Sequence, residues 1–406
     1  MSEPTAEEVG RVSLDANTKA GEDKQLAQNY YFSGLFNRET GLYSDESGRK
    51  LSRRRWIETY FTIVDKKGNL RPLVLNRAQR RLEAMILRAE RAGIPVRIGI
   101  LKARQLGFST YIQAVMFETI LRGKNKRGLI CADTKDRSEL LLRIANTARR
   151  KMPKTTAEDD FFDFKMSSKA KYQLAWAAPI DGLIEITSSE VDRPGMGGTR
   201  GFVHLSESAH FVEAELKYPS ILASLPSEPW TYGFDESTAN GDVGLFRDNW
   251  WAGWAEKDVP LRSRTFQWAS EFFAWQQHEE YFYSKTYGGG QQPSAAMIAE
   301  IEATLDDEER WLLTQRYFER GVGWRNVGYD QLAWRRAKIA DPEIHNDVNL
   351  FNQEYPSRPS VAFMSTGNRV FSPDILERYA RRASEPVWSG ALEEPAASSL
   401  DGASAQ

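Results

Sequence analysis

Short apolar runs alternate with amphipathic stretches between residues 76 and 237, and this alternation is the strongest constraint on the fold. Apolar runs of strand length occupy residues 96–103, 127–133, 183–189, 201–207 and 229–237. Apolar residues at helical spacing occupy residues 76–93, 110–123 and 138–152, and tryptophan-containing helical segments follow at 307–318 and 329–340. Strands that alternate with helices in this way predict a mostly parallel sheet flanked by helices, an α/β fold.

The composition argues against an exported, disulfide-containing protein and against a membrane-spanning protein. Cys131 is the single cysteine of the 406-residue sequence, so no internal disulfide can form and a reducing compartment fits. No stretch approaches about 18 consecutive apolar residues, and the first 25 residues lack the apolar centre of a signal peptide. We therefore expect a protein that is neither exported nor inserted in a membrane, and that works in the cytoplasm.

The net charge of −2 conceals a strong asymmetry. Residues 49–154 contain 27 Lys and Arg against 8 Asp and Glu, a net charge of +19. A surface of this kind attracts phosphate backbones by releasing their counterions. The two basic runs "RKLSRRR" and "RRKMPK" predict a path for a nucleic-acid backbone along Arg53, Arg54, Arg55, Arg149, Arg150 and Lys151.

The segment "ILKARQLGFST" (100–110) joins a predicted strand to a predicted helix and resembles a phosphate-binding (Walker A) loop. Such a loop needs backbone N–H groups around the phosphates, a cation, and a hydroxyl for Mg²⁺. With Gly107 as the second glycine, Phe108 takes the usual lysine position and Ser109 the hydroxyl position. Lys102 takes the position of the first glycine, with Arg104 nearby. The candidate nucleotide-binding residues are Lys102, Ala103, Arg104, Gln105, Leu106, Gly107, Phe108, Ser109 and Thr110.

Two further strand ends carry polar groups suited to nucleotide hydrolysis. "GFVHLSESAHF" (201–211) ends a strand in Ser206-Glu207, which predicts Glu207 as the catalytic carboxylate and Ser206 with Glu207 as groups near Mg²⁺. "GFDESTANG" (233–241) places Ser237, Thr238 and Ala239 at the end of the next strand. Since the carboxyl ends of parallel strands form the ligand crevice, these residues are candidates for sensing the γ-phosphate. Gln79, about 20 residues before the loop, is a candidate reader of adenine.

Taken together, these motifs resemble the large terminase subunit of tailed bacteriophages. "LKARQLGFST" is similar to that family's variant loop, whose lysine stands at the loop's start, and "VHLSESAHF" is similar to its acidic motif. "ESTANGDVGLF" is similar to its coupling motif, and "NQEYPSRPSVAF" with "STGNRVF" is similar to the end of its ATPase domain. The resemblance covers about residues 56–375.

The resemblance implies a RecA-like ATPase of the additional-strand class with a small helical lid. It implies residues 1–55 as a mobile basic arm, 56–375 as the ATPase domain with the lid within 260–350, and 376–406 as a linker or tail. It also implies ATP and Mg²⁺ as cofactors, with Lys102 gripping phosphate, Ser109 at Mg²⁺ and Glu207 as the catalytic acid. The implied work is translocation of double-stranded viral DNA into a procapsid. The implied partners are portal protein, a small terminase subunit and further copies in a ring at the portal vertex.

Two departures from the family pattern stand out. Ser206 replaces the aspartate of the usual acidic pair. The usual C-terminal nuclease has no room after Phe371, so we expect no DNA cleavage by this chain. The acidic run 306–309 is interpreted as a helix start rather than a metal site. An arginine finger is expected between subunits, and Arg193 and Arg200 are candidates that the sequence does not separate.

Two other interpretations of the sequence remain open. A superfamily-2-like helicase shares the glutamine, the loop and the strand-end acid, but needs a second ATPase-like lobe. A degenerate DNA-binding scaffold without hydrolysis would explain both Phe108 in the loop and Ser206 in the acidic pair. Phosphate release from ATP, measured with and without DNA, separates the scaffold from the motor.

Overall fold

The computed structural model describes residues 36–37, 42–44 and 50–363, except 124, 153–165, 169–171, 178–179, 196 and 320–321. Most of the predicted arm, the segment 365–371 and the predicted tail lie outside the described residues. The chain divides after Thr366 into one compact unit and the segment 367–406. Within the described residues, no helix combines the length and the apolar character needed to cross a bilayer.

The first described elements are small. Strands β1 (Phe36–Asn37), β2 (Leu42–Ser44) and β3 (Lys50–Ser52) form an antiparallel sheet, and helix α1 (Arg53–Tyr60) follows directly. Strands β4 (Thr62–Val64) and β5 (Leu70–Pro72) form a hairpin. Helix α2 (Arg77–Arg91) then begins with a capping box between Asn76 and Gln79, which satisfies two N–H groups that a helix start leaves open.

The main sheet contains eight strands among the described residues. They are β6 (Val96–Lys102), β7 (Arg127–Ala132), β8 (Met166–Ser168), β9 (Gln173–Trp176), β10 (Leu183–Ser188), β11 (Phe202–Ser206), β12 (Tyr232–Ser237) and β13 (Ala269–Phe273). Every residue of β6 and β12 is buried. Uninterrupted burial is typical of parallel strands covered by helices on both faces.

Four helices connect these strands, namely α3 (Phe108–Arg122), α4 (Lys135–Lys151), α5 (Ala214–Leu222) and α6 (Leu245–Ala255). Helix α3 follows β6, and α4 follows β7. Both start two or three residues before their predicted first residues. The predicted alternation of strands and helices from residue 76 to 237 is therefore confirmed.

The strand order identifies the class of the sheet. From edge to edge it is β13-β6-β12-β11-β7-β10-β9-β8; the first six strands are parallel, and β9 and β8 complete one edge in antiparallel fashion. Strand β12 comes after β11 in the chain, yet in the sheet it lies between β6 and β11. Strand β6 leads into the predicted phosphate-binding loop (the loop strand), and β11 ends in the predicted acidic motif (the acidic strand). This inserted strand defines the additional-strand, RecA-like arrangement, so the predicted fold class is confirmed.

The sequence predicts a helical lid within residues 260–350. The described helices after residue 280 are α7 (Tyr283–Thr286), α8 (Ala295–Ala303), α9 (Asp307–Leu313), α10 (Tyr329–Ala340), α11 (Val348–Glu354) and α12 (Pro359–Ala362), and the last two end beyond that range. Asp306 caps α9 in a capping box with Glu309, which confirms the acidic run as a helix start. Stacked aromatic side chains fill the interior of this region, for example Trp275 on Trp334 at 5.0 Å and Tyr281 on Trp334 at 4.5 Å between ring centroids.

One predicted helix of this region is wrong in its second half. The sequence predicts a single helix over 307–318, but α9 ends at Leu313, and strand β14 (Arg316–Glu319) pairs with β15 (Gly323–Asn326). Phe318 faces Trp324 across this hairpin, with ring centroids 5.8 Å apart. Cross-strand aromatic pairing, which a helical pattern cannot reveal, decides the conformation here.

Candidate nucleotide-binding and catalytic site

The loop between β6 and α3 has the backbone shape of a phosphate-binding loop. Gly107, the N-cap of α3, has a left-handed φ of 77°, and a Cβ there would lie 2.8 Å from Nε2 of Gln79. Gln105 also has a left-handed φ, of 57°. No side chain caps α3. The first N–H groups of a helix have no intrahelical acceptor, so this helix start offers them to an anion.

The start of α2 braces the loop from outside. Nε2 of Gln79 donates to the carbonyl of Gly107 at 2.7 Å, and Oε1 accepts from the N–H of Asn76 at 3.0 Å. Nδ2 of Asn76 donates to the carbonyl of Leu106 at 2.8 Å. Gln79 is therefore next to the loop, buried, with both ends of its amide used within the protein. Its reading of adenine stays a prediction and would require exchange of these hydrogen bonds.

Lys102, the last residue of β6, lies between two carboxylates. Its Nζ atom is 3.0 Å from Oε1 of Glu207 and 3.3 Å from Oε2 of Glu236. Burial by itself would lower the pKa of Lys102, but the charges of Glu207 and Glu236 outweigh burial and raise the pKa above its ordinary value. Lys102 is thus a fixed cation at the carboxyl edge of the sheet, where the displaced-lysine prediction requires one.

Phe108 stands where a phosphate-binding lysine is usual, and its side chain is buried in the core. Its ring lies 4.4 Å from that of Phe273, between centroids. Ala103 and Leu106 are buried as well, and Thr110 is half-buried. Phe108 therefore anchors the start of α3, and Lys102 supplies the charge.

Two carboxylates of the 340–355 region hold the side chain of Arg104. Its guanidinium pairs with Glu343 at 3.0 Å and with Glu354 at 3.1 Å. Its N–H donates to the carbonyl of Glu354 at 2.9 Å, and its carbonyl accepts from the Tyr281 hydroxyl. Folding of Arg104 over the phosphates stays a prediction, and it would require exchange of the ion pairs with Glu343 and Glu354.

Glu207 follows β11 directly and has a left-handed φ of 54°. Its N–H donates to the carbonyl of Glu236 at 2.7 Å, while Oε2 lies 3.4 Å from Oγ of Ser237 and 3.3 Å from the N–H of Thr238. A left-handed glutamate is a strained conformation that often marks a functional position. The structure thus brings the predicted catalytic acid against the predicted coupling motif, of which Ser237, Thr238 and Ala239 are all buried.

Ser109 and Ser206, both predicted near Mg²⁺, converge on one carboxylate that the sequence analysis did not select. Oε1 of Glu236 accepts from Oγ of Ser109 at 2.6 Å and from Oγ of Ser206 at 2.9 Å. Glu236 is fully buried and lies in β12. One feature of the sequence could have indicated Glu236: it is an acidic residue at the end of an apolar strand that runs into a polar turn.

Comparisons with known proteins give weak structural likenesses only. No protein-family model and no curated protein matches the chain. The HK97 bacteriophage large terminase is 13% identical over 64% of this chain and 53% of that one, with a TM-score of 0.43. The Thermus phage P74-26 large terminase ATPase domain is 15% identical over 64% of this chain and 88% of that one, with a TM-score of 0.37. The matched part is about half of the length of the HK97 protein.

A cavity of about 320 Å³ lies beside the loop. Its apolar lining includes Leu106, Phe273, Tyr317, Phe318 and Trp324. Arginine side chains cover two of its rings: the Arg77 guanidinium lies 4.8 Å from the Tyr317 ring centroid, and that of Arg81 lies 4.9 Å from the Phe273 centroid. A cavity with aromatic and guanidinium faces is suited to a flat, polar ring system.

The two candidate arginine fingers differ in availability. Arg200 is buried, and its guanidinium donates to the carbonyls of Gly195, Gly197 and Gly198 and pairs with Glu185 at 3.1 Å. These contacts hold the glycine-rich loop in place. Arg193 is exposed in the same loop. Of the two, Arg193 has the accessible side chain, whereas Arg200 is bound within its own loop.

The predicted DNA path needs one correction. Arg53 is buried: its Nε lies 3.2 Å from Glu118, its Nη1 lies 3.9 Å from Glu83, and its Nη2 contacts Glu90. An arginine held by three buried carboxylates is not available to a phosphate backbone. The other residues of the predicted path are half-buried or exposed, namely Arg54, Arg55, Arg149, Arg150 and Lys151.

No group of three or more His, Cys, Asp or Glu side chains in the described part of the chain has the arrangement of a metal site. Mg²⁺ in phosphate-binding loops takes most of its ligands from water and phosphate, and one or two from the protein. The donor set at the loop is of that kind: one hydroxyl, Ser109, backed by one carboxylate. Oε2 of Glu236 is buried and faces Nζ of Lys102 at 3.3 Å, so this carboxylate is a fixed negative charge directly behind the Ser109 hydroxyl.

Proposed function

We propose that this chain is an ATP-hydrolysing motor domain that moves double-stranded DNA, as a terminase large subunit does. The observation that carries the proposal is the placement of Lys102. It ends the loop strand and contacts Glu207 from the acidic strand, and β12 runs between the two strands. Cation, carboxylate and loop thus meet at one edge of the sheet, where parallel α/β sheets bind ligands.

The triphosphate binds to the backbone N–H groups at the start of α3 and to Lys102. The triphosphate replaces Glu207 as the partner of Lys102. The carboxylate of Glu207, released from this ion pair, then orients the attacking water and accepts its proton. Ser237 and Thr238, which contact Glu207, respond to that change. Release of the γ-phosphate thereby changes the contacts of Ser237 and Thr238 and of the residues that follow β12.

Ser109 would hold Mg²⁺ through its hydroxyl oxygen, with acidic support from the adjacent strand ends. A bound ion would supply positive charge to the phosphates during hydrolysis. Ser206 is buried behind Ser109 and donates to Glu236, so it supports the site through that carboxylate.

The nucleobase occupies the cavity beside the loop. Leu106 belongs both to the loop and to the cavity lining, so a base placed there is continuous with phosphates at Gly107. Phe318 and Trp324, from the hairpin of β14 and β15, are more than half exposed and supply stacking surfaces. Base stacking on an aromatic side chain contributes about 1–3 kcal/mol.

The wider setting follows from the same proposal. DNA binds along the basic side chains of α1 and of the end of α4 that are half-buried or exposed. Copies of the chain form a ring, and Arg193 reaches the neighbouring site. The portal protein and a small terminase subunit are the proposed partners, and the host cytoplasm, with the procapsid portal vertex, is the proposed place of action.

Two experiments test the proposal against its alternatives. The release of inorganic phosphate from ATP is measured with and without double-stranded DNA. A motor domain releases phosphate, whereas a degenerate scaffold binds DNA and releases no phosphate. Displacement of a triplex-forming strand from intact duplex is then compared with unwinding of a forked duplex. Triplex displacement without unwinding supports the motor, and unwinding alone supports a superfamily-2-like helicase.

A further inference from the structure

Glu236 lies between the two parts of the candidate site, the phosphate-binding loop that follows β6 and the acidic motif at the end of β11. It is the penultimate residue of β12, which pairs with β6 on one side and with β11 on the other. The register places Glu236 opposite Ser206. Its carboxylate therefore lies at the level of the acidic motif but comes from the neighbouring strand.

The contacts of Glu236 are those expected of a carboxylate behind a magnesium site. Oε1 accepts from Ser109 Oγ at 2.6 Å and from Ser206 Oγ at 2.9 Å. Oε2 lies 3.3 Å from Nζ of Lys102. Because Ser109 gives its proton to Glu236, the lone pairs of its Oγ remain available to a cation.

His204 and Gln113 complete the surroundings of this carboxylate. Nε2 of Gln113 lies 2.8 Å from Nδ1 of His204, and Nε2 of His204 lies 3.3 Å from Oε1 of Glu236. The amide can only donate to Nδ1, so the ring carries its proton on Nε2 and donates it to Glu236. Glu236 thus accepts hydrogen bonds from three side chains, an arrangement that fixes its orientation.

We propose that Glu236 supplies, from the inserted strand, the negative charge toward Mg²⁺ that an aspartate at position 206 would otherwise supply. Ser206 then acts as a neutral spacer that links the acidic strand to Glu236. This inference rests on the proposed nucleotide function and names a residue that the loop and acidic motifs do not contain. It explains how a chain with serine in the acidic pair retains a magnesium site.

The protonation state of Glu236 agrees with this role. Burial alone would raise its pKa, but the charge of Lys102 and the hydrogen bonds from His204 and Ser109 outweigh burial and hold the pKa far below its ordinary value. The neighbouring Asp235 differs, since its side chain contacts Ser208 and Tyr218 instead. Asp235 is therefore a matched control on the same strand.

The experiment measures how much Mg²⁺ tightens nucleotide binding. A fluorescent ADP analogue, mant-ADP, is titrated in Mg²⁺ and in EDTA, and Mn²⁺ bound with ADP is counted by electron paramagnetic resonance. We expect Glu236→Gln to reduce the tightening by about 10- to 100-fold, the usual cost of losing a group behind a metal ligand. We expect Asp235→Asn to leave the tightening unchanged.

A charge-relocation variant keeps the test decisive. The double variant Ser206→Asp with Glu236→Gln returns the acid to β11. We expect this variant to restore Mg²⁺-dependent nucleotide binding, and it can be measured even if Glu236→Gln alone fails to fold. The inference is overturned if Glu236→Gln is folded and retains the full Mg²⁺ effect, or if the double variant folds without regaining it. Absence of mant-ADP binding by the unmodified protein in both conditions would instead overturn the proposed nucleotide function.

Discussion

The Nζ atom of Lys102 lies 3.0 Å from Oε1 of Glu207, although the two residues are 105 positions apart in the sequence. The contact joins the charge that would grip a triphosphate to the carboxylate that would activate water. Exchange of this ion pair for a phosphate is the step on which the proposed chemistry depends, and each partner can be changed separately.

Glu207→Gln is expected to retain ATP binding and to lose hydrolysis. Glutamine keeps the shape of the side chain but cannot accept the proton of an attacking water, and loss of such a group costs about 10²–10⁴ in rate. Steady-state phosphate release and mant-ATP affinity measure the two properties. Glu215→Gln, an exposed acid of α5, is the matched control. Hydrolysis within tenfold of the unmodified protein would exclude Glu207 as the catalytic acid.

Lys102→Ala is expected to weaken nucleotide binding far more than Phe108→Leu. The first change removes the buried cation, whereas the second trims a ring that packs on Phe273 and offers phosphate no charge. Affinity for ATP is measured by calorimetry, and circular dichroism monitors folding. Equal losses of affinity in two folded variants would contradict the role of the displaced lysine.

Trp324→Ala is expected to weaken ATP binding by about 1–3 kcal/mol, the range for one base stacked on one aromatic side chain. Binding of inorganic tripolyphosphate should not change, because the cavity beside the loop would hold only the base. Val322→Ala, an exposed change in the same hairpin, controls for disturbance of the turn. A parallel loss of tripolyphosphate affinity would place Trp324 outside a base site.

Neutralising Arg149, Arg150 and Lys151 together is expected to lower DNA affinity and to flatten its salt dependence. Each phosphate that the protein neutralises contributes about −0.9 to the log–log slope of affinity against salt. The slope should therefore become shallower by about one for each phosphate that the variant no longer neutralises. Arg54 and Arg55 form a second set for the same measurement. An unchanged slope in both variants would move the DNA path to another surface.

Asp235 is expected to make the free energy of unfolding fall as the pH rises from about 4 to about 7. Burial raises the pKa of Asp235 to about 7, against an ordinary value of 3.8, despite hydrogen bonds from Ser208 and Tyr218. The folded protein holds this proton more tightly than the unfolded chain does, so deprotonation favours unfolding, at about 1.4 kcal/mol per pKa unit.

Asp235→Asn isolates this contribution from the other titrating groups. Urea unfolding of both proteins is followed between pH 4 and pH 8. The stability of the variant relative to the unmodified protein should rise across that window and level off above pH 7. A difference that stays constant with pH would show that Asp235 has an ordinary pKa.

The sequence predicts the parts of the fold that local pattern determines. Apolar runs such as 96–103 indicate a buried strand, the segment that follows indicates a loop leading into a helix, and all three are present. The conformation of 314–319 is not predictable in this way, because the pairing of Phe318 with Trp324 across a hairpin overrides a helical pattern.

The site is predictable to the extent that it lies in consecutive residues. Lys102 and Glu207 stand in recognisable motifs at the carboxyl ends of two parallel strands, β6 and β11, between which β12 lies. Glu236 escapes prediction because its role depends on register: β12 must lie between β6 and β11 for its carboxylate to meet Ser109 and Ser206. The prediction for Arg53 is wrong for a related reason, since this member of a basic run is buried against Glu90 and Glu118, which are far away in sequence.

The bonds of Arg104 have a mechanical consequence. Both of its backbone polar groups and its guanidinium are held by Tyr281, Glu343 and Glu354, while Lys102, two residues earlier, is fixed in the sheet. Ala103 is the single residue between the sheet-bound Lys102 and Arg104. Any displacement of residues 280–355 would therefore reach the loop at Arg104, across one residue, while Lys102 stays held by the sheet.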